Sequence, residues 1–346
     1  MKNQRERKVA IFFIATPLHY LAAQKVALLF EEDSRCIAIP YTPSAQKFID
    51  HSEWGGVVYA PWPRFSPMPG AFGRHRRLLA NLRNVANEVG TCSTLTIHSP
   101  VFDTEAVNYY LRGLPRLCNI KNMRARILPD GLLNISRHPR NRIAQAGLIL
   151  RKLRRIASPQ LDYWHFSGDR IGSDAPFVDR IYTLAGFPHD YPKEKVVALP
   201  PLLSETFEGA DDTVEKSALL IGQPLMGIGA LTSQEHDRIV REITSWLAKK
   251  GITKVVYKAH PRDPNQELRV DGSIVLDIGE PLERHMSKNR YHAVLGVNST
   301  ALYLARQIYG PEVSVISFGN DLVHFKNADQ GKKAAQLMDL LGIQRR

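Results

Sequence analysis

Three groups of residues in this sequence have the types and spacing that chemistry needs. The segment VVYKAHPRD, residues 255–263, ends an apolar run with Lys258, His260 and Arg262, three cation-forming side chains within five residues. Such side chains hold a phosphate and stabilise the charge that grows on a leaving group. Alternation along an extended chain puts Lys258 and His260 on one side, and Pro261 fixes the direction of exit. A solvated basic turn after a strand has the same composition. In GVNSTAL, residues 296–302, small residues run into a helix through Ser299 and Thr300. Their hydroxyls and the first-turn N–H groups make an anion site, and serve equally as an ordinary N-cap. LPDGLLN, residues 128–134, places one carboxylate, Asp130, before a glycine. It is a general base for a hydroxyl proton if it faces a cleft, and an Asp-Gly turn otherwise.

The elements around these groups alternate as a parallel α/β sheet requires. VAIFFIA, 9–15, is a continuous apolar strand; Thr16 then stands as N-cap and Pro17 as first helical residue. A second opening repeats the pattern: strand SALLIG (217–222), the loop QPLMGIGAL, and a helix begun by the capping box Thr232 to Glu235 and ended by Gly251. Strands follow at 254–259, 273–278, 292–297 and 313–318, with helices near 281–288, from Ser299, and near 330–341. The first half continues through SRCIAIP, GGVVYAP, CSTLTIH and RARILPD. Strands alternating with helices imply right-handed βαβ units. The Pro- and acid-rich stretch 186–216 reads as the connection between them. We therefore expect two Rossmann-like domains facing across a cleft: 1–190, a linker 191–216, and 217–346. The four strand-end loops 15–20, 128–134, 257–263 and 296–302 then lie where ligands of open sheets bind.

Composition narrows the partners. The 346 residues carry a net charge of +12, which favours anionic ligands or surfaces. Cys36, Cys92 and Cys118 are widely spaced and odd in number, as in a reducing cytoplasm, and offer neither a disulfide framework nor a zinc site. The apolar run at 9–15 is too short for a membrane span and lacks a cleavage site, so a soluble or peripheral protein is expected. No G-x-G-x-x-G or G-x-x-x-x-G-K-[ST] pattern occurs, which lowers dinucleotide-dependent and P-loop readings. Residues 137–155 hold seven Arg or Lys around Ile143, Leu148, Ile149 and Leu150. That segment is either a basic helix for an anionic membrane face or a solvated surface helix. A second basic cluster lies at 64–83, and no nucleic-acid module is present.

An acid before glycine at Asp130, Lys258-x-His260-Pro261, and the Ser299-Thr300 pair entering a helix together resemble the bacterial sialyltransferase group. That group contains the capsular polysialyltransferases and the lipooligosaccharide sialyltransferases. IATPLHYLAAQKV, with Thr16, and LLIGQPL, with Gly222 and Gln223, are similar to the openings of its two domains. The resemblance covers about 9–30, 125–135, 217–225 and 254–305. It implies a GT-B fold and an inverting transfer from a CMP-activated nonulosonic acid to a bacterial glycan or glycolipid. It also implies Asp130 as base and His260 as the residue on the CMP phosphate. Thr16, Gly222, Gln223, Lys258, Pro261, Ser299 and Thr300 would bind the donor, with Glu280 near the ribose. Pro129 departs from the group, which often has a second acid there. A phosphate-monoester leaving group needs a base, a charge clamp and exclusion of water, and no Asp-x-Asp site is seen, so metal independence is expected. Two rivals stand beside this reading: a CDP-alcohol phosphotransferase of the teichoic-acid type, and a catalytically silent nucleotide-binding protein.

Overall fold

Strand β1 (Lys8–Ile14) is buried at six successive positions, which only a strand covered on both faces can be. The Thr16 hydroxyl accepts the His19 N–H and Pro17 opens α1 (Pro17–Phe30). The chain continues through β2 (Arg35–Pro40), α2 (Pro43–Phe48), β3 (Gly56–Val57), α3 (Gly73–Val89), β4 (Thr94–Ser99), α4 (Tyr110–Leu117), β5 (Asn122–Ile127), α5 (Arg142–Lys152), α6 (Arg154–Ala157), β6 (Val178–Leu184) and β7 (Val196–Leu199). These strands pair parallel in the order β3-β2-β1-β4-β5-β6-β7. Val9, Ile11 and Phe13 share one core with Ile37, Leu95, Ile97 and Ile127.

The computed structural model describes residues 7–131, 135–139, 142–202, 216–260, 262–278, 280–325 and 328–346. It divides into Met1–Leu202 and Leu203–Arg346. The second unit runs β8 (Ser217–Ile221), α7 (Ser233–Lys249), β9 (Lys254–Lys258), β10 (Ile274–Val275), α8 (Leu282–Lys288), β11 (Ala293–Gly296), α9 (Thr300–Tyr309), β12 (Ser314–Ser317), α10 (Ala328–Leu340) and β13 (Gln344–Arg345). Its parallel sheet has the order β10-β9-β8-β11-β12-β13. The expected capping box is present: Thr232 Oγ1 accepts the Glu235 N–H and Glu235 Oε2 accepts the Thr232 N–H. Ile239, Ile243 and Trp246 carry that helix onto Leu220, Leu295 and Ile316. No helix among the described residues is long and apolar enough to cross a membrane.

Three expectations need correcting. The linker reading began at 191, but Val196–Leu199 forms β7 and pairs with β6, so the first sheet runs further; residues 203–215 of that linker lie outside the described residues. The strand expected at 273–278 shortens to Ile274–Val275, both exposed, because an edge with one neighbour pairs only where the backbone reaches β9. The strand expected in GGVVYAP likewise reduces to Gly56–Val57.

Beneath the first sheet lies a buried ionic cluster. Arg126 Nη1 donates to Glu31 Oε1 at 2.5 Å and Arg126 Nε to Asp179 Oδ1 at 3.1 Å. His98 Nε2 lies 3.2 Å from Glu31 Oε1, and its ring stacks on Phe12 with centroids 4.2 Å apart. Burial pushes the His98 pKa below its ordinary 6.5 against the pull of Glu31, so the ring is neutral and Nε2–H donates. Burial also pushes the Glu31 carboxyl up, but the His98 bond and the charges beside it leave it below its ordinary 4.5. Removing Arg126 alone strands a buried carboxylate. We expect Arg126→Met to cost ~3–5 kcal/mol in thermal or urea unfolding, and Arg126→Met with Glu31→Leu to recover most of it. Acid sensitivity follows from the same groups. The unfolded chain protonates His98 first, so stability falls as pH drops below 6.5, and the Glu31 contribution, present above 4.5, is lost as pH falls through its lower folded value. Urea unfolding as a function of pH checks both; a flat profile between neutrality and pH 5 contradicts the His98 assignment.

Candidate functional site

In the first sheet the strand order reverses between β1 and β4, the place where loops part and ligands of such sheets bind. Two side chains meet there. Asp130 stands beyond β5, before Gly131, whose φ of 55° is the left-handed conformation that glycine favours. His19 stands in the first turn of α1, and its Nε2 is 2.8 Å from Asp130 Oδ1. The Ala15 N–H donates to His19 Nδ1 at 3.3 Å. An amide can only donate, so Nδ1 holds the lone pair and Nε2 holds the proton, which it donates to Asp130. The His19 side chain is 3% exposed and that of Asp130 30%. With both ring nitrogens engaged, His19 is fixed in orientation, and Asp130 is the more exposed member of the pair. Its charge is also felt by Tyr41, whose hydroxyl burial first and Asp130 second push to a higher pKa.

Thr16 belongs to this arrangement through its hydroxyl, which caps the turn bearing His19, while Thr42 Oγ1 donates to Ala15 O at 3.0 Å. Sequence reasoning chose the loop ATPLHY but passed over His19. The available signal was that it is the only basic side chain of that loop.

In the second sheet the order reverses between β8 and β11. Gln223, just past β8, accepts the Asn298 N–H through Oε1 at 3.1 Å and so ties the loops across the switch point. Gly222 donates its N–H to Lys258 O, and a Cβ on it would lie 2.3 Å from Tyr257 Oη, so only glycine fits. Ser299 is the N-cap of α9, its Oγ accepting the Ala301 N–H at 3.3 Å. The hydroxyl proton remains free to be donated, and Thr300 is the first helical residue.

The basic segment differs from the expected extended run. The strand stops at Lys258, and His260 enters a turn closed by the Asp263 N–H on His260 O at 2.9 Å. Lys258 Nζ reaches Leu276 O at 3.5 Å, toward β10. His260 Nδ1 accepts the Arg262 N–H at 3.1 Å. Burial, then the Arg262 charge, lower the His260 pKa below 6.5. Instead of a standing cation it is a neutral imidazole presenting Nε2–H. Pro261 lies outside the described residues. Glu280 accepts from Lys288 Nζ through Oε2 at 2.7 Å.

Two residues that sequence reasoning missed hold these loops. Buried Asp263 accepts the Glu267 N–H at 2.9 Å and the Tyr257 hydroxyl at 3.4 Å. The Glu267 carboxylate then accepts the Met226 and Gly227 N–H groups at 2.7 and 2.9 Å. Asp263 and Glu267 stand four apart, the spacing of one helical turn, and this was their only trace in the sequence. Among the described residues no group of three His, Cys, Asp or Glu side chains is placed to hold a metal ion.

No curated protein sequence matches the chain. Among solved structures, the glycotransferase of kitacinnamycin superposes with a TM-score of 0.50 at 10% identity, covering 99% of this chain and 86% of that one. MnaA of S. aureus in its co-structure with UDP gives 0.48 at 12%, over 96% and 88%. CalG4, the calicheamicin glycosyltransferase, gives 0.48 at 11%, over 99% and 86%. The first of these likenesses and the two parallel sheets show the GT-B fold. The family model described as Alpha-2,8-polysialyltransferase (POLYST) matches residues 187–316, a span that holds Gly222, Gln223, His260, Glu280, Ser299 and Thr300 but neither Thr16, His19 nor Asp130. The resemblance read from the motifs thus meets a family match over that span: the chain has the GT-B fold, and its residues 187–316 match the polysialyltransferase model.

Proposed function

We propose that this chain transfers a sialic acid or related nonulosonic acid from its CMP conjugate to a glycan or glycolipid acceptor of a bacterial surface, with inversion. The observation that carries the reading is the polysialyltransferase match over 187–316, because it encloses every donor-side residue of the second unit. An acceptor hydroxyl oxygen attacks the anomeric carbon, the bond from that carbon to the phosphate oxygen breaks, and CMP leaves with the electron pair. Asp130 takes the hydroxyl proton, oriented by the His19 Nε2–H. His260 Nε2–H, the Ser299 hydroxyl and the opening turn of α9 take up the growing phosphate charge. Gly222 and Gln223 shape the loop beside that phosphate, Lys258 flanks it, and Glu280 reaches the ribose. A monophosphate needs no metal to leave from such a clamp. Free Cys36, Cys92 and Cys118 suit the reducing cytoplasm in which CMP-activated sugars are spent.

A donor panel read by nucleotide release tests the class: CMP-sialic acid is consumed and CDP-glycerol is not, and the opposite result favours the phosphotransferase. Roles divide between the units. Asp130→Asn should lower single-turnover rate ~10²–10⁴-fold, the worth of a positioned base, with CMP affinity nearly unchanged. His260→Ala should weaken CMP binding and turnover together. Full activity of Asp130→Asn would sink the assignment.

Proton linkage gives a further check. Free His260 titrates below 6.5, and a phosphate beside it favours the imidazolium. CMP binding should therefore take up a proton in the window between the free and bound values, and affinity should rise as pH falls through it. Calorimetry in two buffers of different ionisation enthalpy measures that uptake, and His260→Ala should abolish it. Nitrogen NMR of labelled histidine should report His19 as the Nε2–H tautomer, with its signal displaced in Asp130→Asn; an Nδ1–H tautomer would reverse the roles of the pair.

A further inference from the structure

Helices α5 and α6 carry two apolar faces, of which the fold uses one. Leu148 is buried in the first core, whereas Ile149, Leu153 and Ile156 are 59%, 50% and 79% exposed. Leu153 keeps helical backbone angles between the two helices, and its N–H donates to Ile149 O at 3.1 Å. The three side chains therefore follow at i, i+4 and i+7 down one continuous stripe. Three contiguous branched aliphatics left in water are not scattered surface apolar residues.

Phe72 adds to the same surface. Immediately after it, the Arg74 and Arg154 guanidiniums share the Glu105 carboxylate, and His75 Nε2 lies 2.9 Å from Ser158 Oγ, just past α6. Phe72 is 82% exposed and has a φ of 60°, a left-handed conformation that an aromatic residue rarely adopts. Gly73 enforces it: a Cβ there would meet Met68 O at 1.8 Å, and the Met68 N–H donates to Gly73 O. Backbone strain and an exposed aromatic ring are two costs with no return inside the fold.

The charges around the stripe identify what would cover it. Arg112, Arg116 and Arg155 crowd one carboxylate, Asp162, at 2.7, 3.1 and 4.0 Å. Arg74 and Arg154 share Glu105, and the cluster is left in excess of cations. Arg151 and Arg154, which the basic-helix reading assigned to a membrane, are turned inward instead, to the hydroxyls of Tyr163 and Tyr109. Arg76 and Arg155 are exposed and Lys152 is half-buried beside the stripe, with Arg155 only 4.0 Å from Asp162 at its nearest. A second copy seated on this face would set those cations against their own copies. An anionic surface meets both the stripe and the charge.

We propose that this face docks on an anionic phospholipid bilayer, with Phe72, Leu153 and Ile156 entering the headgroup region and Arg76, Lys152 and Arg155 contacting lipid phosphates. The inference is independent of the donor reading, and the assay below separates their failures. The whole chain is sedimented with vesicles of phosphatidylglycerol and phosphatidylethanolamine in equal parts, and with vesicles of phosphatidylcholine. The wild type should bind the anionic vesicles and release them in salt. Leu153→Ser with Ile156→Ser should bind about tenfold or more weakly, since two buried apolar side chains are lost. Ile228→Ser, which removes a side chain 59% exposed in the second unit, should bind as the wild type. Lys152→Gln with Arg155→Gln should lose affinity and part of the salt dependence. CMP release from CMP-sialic acid with a soluble acceptor should stay unchanged in all of these variants. Absence of wild-type binding to the anionic vesicles, or wild-type binding by the Leu153/Ile156 variant, overturns the proposal. So does sedimentation equilibrium showing a dimer that this variant dissolves without any vesicle binding. Failure of CMP-sialic acid turnover alone leaves the docking result standing and strikes only the donor reading.

Discussion

Parallel pairing is the constraint from which most of this structure follows. Every strand of each sheet runs the same way, so each must be followed by a crossover, and both sheet faces are covered. That is why β1, with no polar face at all, forms a strand here and could not form one at the surface of an antiparallel sheet. Parallelism also sends the loop after every strand to one edge. The residues with chemistry gather at that edge because the backbone direction leaves them nowhere else to go. The reversal of strand order then selects a place on each edge, between β1 and β4 in one unit and between β8 and β11 in the other.

The fold was legible because these requirements write themselves into local sequence. VAIFFIA and SALLIG have the continuous apolar character of doubly covered strands, and Thr16-Pro17 and Thr232-x-x-Glu235 are helix starts whose hydrogen bonds are made as expected. Edge strands were legible in kind but not in extent. β3 and β10 pair over two residues each, and nothing in their composition marks where pairing stops; the distance to a single neighbour decides it. β7 was hidden for another reason. VVAL sits among prolines and acids that read as a linker, and only its pairing with β6 makes it a strand.

The site was legible at the level of loops and less so at the level of partners. Asp130, His260 and Ser299 stand at strand ends that sequence alone could point to. The contacts that set their behaviour span long separations: His19 and Asp130 are 111 residues apart, and Gln223 and Asn298 are 75 apart. No periodicity links such pairs. Ionisation state was equally out of reach, since a basic-looking Lys-x-His-Pro-Arg becomes a neutral imidazole only once burial and the neighbouring Arg262 are known.

The remaining donors show how narrowly the second unit is committed. Backbone N–H groups at a loop are the usual anion cradle, yet those of Met226 and Gly227 already hold the Glu267 carboxylate, and that of Asn298 already holds Gln223. Asp263 in turn holds Glu267, so the loop that follows β8 and the turn that carries His260 are fixed by a single chain of acid-to-amide bonds. Displacing that internal carboxylate would free a buried charge, so these amides are committed to the fold. Among the described residues at the carboxyl edge of this sheet, the opening turn of α9, the Ser299 hydroxyl and the Nε2–H of His260 are not engaged in that chain of bonds. Gly222 and Gln223 thus brace the shape of the loop, and on the proposed reading binding falls to residues that the protein has not already satisfied.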